Sequence, residues 1–184
     1  DFSACYKTLH LMDNRLFHAV GSTSMVGYFI ERWSEDLQRQ IILCAFEELP
    51  KISGYYEEPV FVWSHIMIPH FPLIFGPNGE PITPGKSLLA MNHPEYTDSG
   101  WDVKTQFIQQ LQFTNKKSME LINKILENEK QAIIIIQSDH GSGFDINLQD
   151  PVDDDVFQRL SNLNAIYFPD EKHREMLTDD RTNV

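Results

Sequence analysis

Gln131-Ala132-Ile133-Ile134-Ile135-Ile136-Gln137-Ser138-Asp139-His140-Gly141-Ser142-Gly143 carries four consecutive isoleucines that stop at a polar, glycine-flanked turn. A short unbroken β-branched run is expected of a strand buried on both faces, and such strands belong to parallel sheets covered by helices. Directly upstream, Phe107, Ile108, Leu111, Met119, Ile122, Ile125 and Leu126 mark one face of a long helix from Val103 to Asn128 that should pack on a sheet. Further back, Pro59-Val60-Phe61-Val62-Trp63-Ser64-His65-Ile66-Met67-Ile68 reads as a second doubly buried strand, ended by Pro69. Strand, loop, helix, strand predicts a right-handed crossover, so the expected fold class is α/β with a mostly parallel sheet.

Outward from this unit, Leu37, Ile41, Ile42, Ala45, Phe46 and Leu49 recur at helical spacing, with Ser34 as expected N-cap and a stop before Pro50. Residues 71 to 100 are rich in proline and glycine and read as a long loop, and long loops in compact domains are usually functional. After the Ser-Asp-His-Gly turn an acidic stretch with Asp150, Asp153, Asp154 and Asp155 reads as helix-poor. Leu163 to Phe168 reads as one more strand, and residues 170–184 as a frayed tail.

With 15 basic and 27 acidic residues, the net charge of -12 opposes binding to a phosphate backbone, and nucleic acid is excluded as an expected partner. Cys5 and Cys44 are too few for a disulfide framework, and spacing leaves a single bridge undecided. No apolar run is long enough to cross a bilayer, so the piece itself reads as soluble. The start at Asp1 has no signal-peptide layout, and the chain reads as cut from something longer.

In open α/β sheets, binding groups gather past the carboxyl ends of strands. Two stretches occupy such places: Ser64 to Pro72, holding His65 and His70, and Ser138 to Gly143, holding Asp139 and His140. A carboxylate and an imidazole together suit a borderline divalent ion such as Zn²⁺ or Mn²⁺ better than an all-oxygen Ca²⁺ site. Taken alone, an Asp-His pair is more often a capped turn with an exposed imidazole, because ligands need company. His70, between Pro69 and Pro72, is held stiff enough to meet an anionic oxygen. His65, within the strand, reads as a supporting residue or a satisfied core histidine, and His10, His18, His93 and His173 as surface or structural residues.

Phe61 to Gly76, with its Ser64-His65-Ile66-Met67-Ile68-Pro69-His70-Phe71-Pro72 centre, resembles the histidine-proline segment of sulfatase-like membrane proteins of the alkaline phosphatase superfamily, which include phosphoglycerol transferase types. The Ile133 to Gly141 segment and Leu163-Asn164-Ala165-Ile166-Tyr167-Phe168-Pro169 are similar to two further family segments, in the same order. The resemblance implies a partial alkaline phosphatase-like three-layer α/β/α sandwich, with residues 1–184 forming the C-terminal part of one catalytic domain. It implies that Asp139 and His140 bind a divalent metal (Mn²⁺, Zn²⁺ or Ca²⁺) and that His70, with His65 in the same motif, serves catalysis on a sulfate or phosphate ester. A lipid or glycan headgroup is among the candidate substrates.

The family's nucleophile, a Thr, Ser or modified Cys, and its first acidic ligand have no counterpart here, so the missing N-terminal half of the domain is itself an expected partner. The resemblance further implies a membrane-anchored parent with an extracytoplasmic catalytic domain. Alone, the fragment is expected to bind metal weakly and to be inactive. The competing expectation is a catalytically incomplete relative that keeps its fold for binding or assembly, and a third is an unrelated α/β domain in which Asp139 caps a turn.

Overall fold

In a computed structural model describing residues 25–82, 103–141 and 153–177, α1 spans Met25–Glu48. Its apolar residues Leu37, Ile42 and Phe46 are buried, as the helical spacing requires. The helix begins well before Ser34, which lies inside it and not at its N-cap. It ends where Pro50 cannot continue the hydrogen-bond ladder, and a 3₁₀ helix, Leu49–Tyr55, takes over with proline in its first turn. There Lys51 donates to Glu48 at 2.6 Å, and that hydrogen bond holds the Glu48 carboxyl below its usual range.

The described residues belong to two compact units, the first ending at Lys124 and the second beginning at Ile125. In the first, Ile42, Phe46, Ile74, Phe75 and Phe113 form the core, with Leu43, Ile66, Ile68 and Leu121 packed against it. Phe75 and Phe113 stack with ring centroids 4.7 Å apart, within the favourable range for offset aromatic pairs. Phe113 belongs to α2, Val103–Asn128, whose bounds agree with the sequence reading. Residues 74–82 make a tight reversal closed by Ile82 N–H donating to Ile74 O, and Gly76 N–H to Glu80 O. Gly79 supplies the left-handed residue of this turn, φ 87°, and an added Cβ would stand 2.6 Å from the Phe113 ring. Arg39 of α1 donates to Ile74 O and Ile82 O, both at 3.2 Å, tying the reversal to the helix.

The second unit holds β1, Ile134–Gln137; α3, Asp153–Leu160; β2, Asn164–Tyr167; and α4, Glu171–Leu177. β1 and β2 pair antiparallel, Ile134 opposite Tyr167 and Gln137 opposite Asn164. Gln137 Nε2 donates to Asn164 Oδ1 across this pair at 2.9 Å. α4 occupies the start of the stretch read as a frayed tail, and 178–184 lie outside the described residues.

The expected α/β class, a partial alkaline phosphatase-like three-layer α/β/α sandwich with a mostly parallel sheet, is contradicted: the described residues are mostly helical, with one two-stranded antiparallel sheet. Residues 59–68 form no strand, and Phe61 and Trp63 are 92% and 77% exposed. An apolar, β-branched composition favours a pleated surface only where a neighbouring strand completes the ladder, and none is present among the described residues. Without that first strand the described residues contain no parallel crossover. The isoleucine run is likewise not buried on both faces, since Ile133 and Ile135 are exposed. The acidic stretch read as helix-poor starts α3.

Candidate metal and anion site

Asp139 and His140 leave β1 in a turn fixed on several sides. Ser138 N–H donates to Leu163 O at 3.0 Å, and Ser138 Oγ accepts Leu163 N–H at 2.8 Å. Asp139 Oδ1 accepts the backbone N–H of the adjacent His140 at 3.0 Å. Gly141 N–H donates at 2.8 Å to Arg159 O, one of the carbonyls left open at the end of α3. The turn is therefore set by β2 and α3 together.

His140 Nδ1 lies 2.8 Å from Gly141 O. A carbonyl only accepts, so Nδ1 is the donor in this contact, which in a neutral imidazole leaves Nε2 as the acceptor. Nε2 stands 3.5 Å from Asp139 Oδ2, beyond the ordinary N–H···O range. Two electron-pair donors at that separation match the spacing of two ligand positions around one cation. Ligand atoms at roughly 2.0–2.2 Å from one tetrahedral ion are separated by a similar distance. Asp139 is largely exposed and His140 partly so, which leaves the pair open to a ligand. Among the described residues no group of three His, Cys, Asp or Glu side chains could hold a metal. The donors present fit two positions of a divalent site and no more.

In the first unit, His70 is exposed, and its Nδ1 donates to Phe71 O at 2.8 Å, again leaving Nε2 outward. His65 is also exposed, its ring 6.1 Å from Trp63, which excludes the core-histidine reading. The residue that sequence reasoning missed is Gln110. It is 1% exposed, and its Oε1 accepts Ile74 N–H at 2.8 Å and Phe75 N–H at 3.1 Å. Its Nε2 faces the carbonyls of Pro69 and His70 at 3.1 Å and of Pro72 at 3.3 Å. One amide thus holds the backbone on both sides of His70. The available signal was its spacing, three residues from both Phe107 and Phe113 on the buried stripe of α2.

His173, read as a surface residue, is exposed at the start of α4, where Asp170 accepts its backbone N–H at 2.9 Å and its Nδ1 at 2.6 Å. The backbone hydrogen bond from His173, then the side-chain one, hold the Asp170 carboxyl below its usual range. This is an N-cap of α4. His10, His18 and His93, and residues 83–100 of the expected long loop, lie outside the described residues. No helix among the described residues is long and apolar enough to cross a membrane. Cys44 is disulfide-bonded.

Compared with models of protein families, with curated proteins and with solved structures, the chain finds no match.

Proposed function

We propose that this chain contributes the Asp139-His140 half of a divalent-metal site to a hydrolase or transferase acting on sulfate or phosphate esters. The observation that carries the reading is the pairing of Asp139 Oδ2 with His140 Nε2 at 3.5 Å, the ring turned by its Nδ1 bond to Gly141 O. The order of the three segments that resemble sulfatase-like proteins supports it. A divalent ion held there supplies positive charge to an oxyanion of the transferring group. Asp139 and His140 provide two ligands, and the remaining ligands and the nucleophile come from residues beyond those described. His70, exposed in the first unit with Nδ1 committed to Phe71 O, is read by itself as a residue for an anionic sulfate or phosphate oxygen. Gln110 keeps that histidine's backbone in place through its bond to His70 O. The disulfide at Cys44 supports an oxidising, extracytoplasmic setting for the parent protein.

The test is hydrolysis of 4-nitrophenyl sulfate and 4-nitrophenyl phosphate by the parent polypeptide, with Mn²⁺ or Zn²⁺ added after chelation. Asp139→Ala and His140→Ala are each expected to lower kcat/KM by about 10³-fold or more, comparable to losing a preorganised electrostatic contact. Metal-independent turnover that survives both substitutions would sink the reading. A second reading, a binding domain without catalysis, is favoured by the Asp139 Oδ1 bond to His140 N–H, which a plain capped turn also makes. Stoichiometric ester binding without turnover would select it.

A further inference from the structure

Gly141 occupies a position that no other residue can share. A Cβ built on it would stand 2.0 Å from Gln158 O and 2.5 Å from Ser161 O, both backbone atoms that cannot swing aside as a side chain would. Its N–H donates to Arg159 O at 2.8 Å, so the peptide is gripped by the carbonyl end of α3. The carbonyl of this same residue accepts His140 Nδ1 at 2.8 Å. An imidazole with no neighbour in water prefers its proton on Nε2, and which nitrogen carries it in a protein is set by the partner of the other. We propose that Gly141, docked on the carbonyl end of α3, is a positioning residue that sets His140 in its Nδ1–H tautomer with Nε2 turned toward Asp139. The inference deepens the metal-site reading and takes its purpose from it. Outer contacts that fix a ligating histidine's tautomer commonly govern metal affinity. The helix end also brings partial negative charge to the turn, a setting that favours a cation.

The experiment is the long-range ¹H–¹⁵N correlation spectrum of the imidazole rings in the full chain without metal, with His140 assigned by His140→Gln. The wild-type ring is expected in the Nδ1–H form. Gly141→Ala is expected to convert it largely to Nε2–H and to weaken Zn²⁺ uptake by about tenfold. Ser138→Ala removes the acceptor for Leu163 N–H but leaves the Gly141 peptide in place, and keeps the wild-type ring pattern. A wild-type Nε2–H ring, or a folded Gly141→Ala chain that retains Nδ1–H, overturns the proposal. Should Gly141→Ala not fold, the wild-type Gly141 amide decides: slow hydrogen exchange supports its grip by Arg159 O, and fast exchange overturns it. A wild-type Nδ1–H ring with no Zn²⁺ uptake removes the metal reading and upholds the ring assignment.

Discussion

Replacing Gln110 with leucine is expected to destabilise the first unit by about 3–5 kcal/mol, although the new side chain is apolar, similar in size and enters a buried site. The substitution strips the acceptor from Ile74 N–H and Phe75 N–H, and Ile74 and Phe75 are themselves buried. A buried donor left without a partner costs roughly 1–3 kcal/mol, so two of them outweigh the gain from burying a methyl-rich side chain. The three carbonyls that Nε2 serves add to the loss. Gln110→Glu keeps an acceptor but aims a carboxylate at those carbonyls, and is expected to be at least as damaging. Urea unfolding of the full chain measures both. A change below about 1 kcal/mol for leucine would mean that the amide network is not formed in solution.

Phe113→Ala is expected to cost about 3–5 kcal/mol, the usual range for emptying an aromatic site in a core. Phe113 is 3% exposed, stacks on Phe75 and closes over Gly79, so neither the aromatic partner nor the turn can collapse into the space without moving backbone. Phe61→Ala, at a side chain 92% exposed, is expected to change stability by no more than about 0.5 kcal/mol. The contrast tests the corrected placement of residues 59–68 directly. If Phe61 proved as costly as Phe113, the segment would be buried after all.

How far the sequence could be read varies with the kind of information each element needs. The helix from Val103 to Asn128 was legible because its apolar spacing is a local property. Residues 59–68 were not, because an apolar run states that a segment suits a sheet and says nothing about whether a second strand lies beside it. The pairing of β1 with β2 needed the same non-local information: Leu163 to Phe168 was read as a strand, but the antiparallel register of Asn164 to Tyr167 is carried by no local pattern. At the candidate site, the glycine-flanked turn after β1 announced Asp139 and His140 as residues free to leave the strand. The part that orients them was hidden, because the acidic run where α3 begins was read as helix-poor. Gln110 was obscured by its polarity. Its spacing placed it on the buried stripe, and only the five backbone groups around it explain why a polar residue is tolerated there.

The claim that Asp139 and His140 form a cation site is tested most directly by Mn²⁺-induced line broadening across the ¹H–¹⁵N spectrum of the full chain, because broadening localises even a weak ion. The expected result is early, selective loss of the Asp139, His140 and Gly141 signals, abolished by Asp139→Ala. Broadening spread evenly over the acidic surface of this chain of net charge -12, and unchanged by Asp139→Ala, would contradict it.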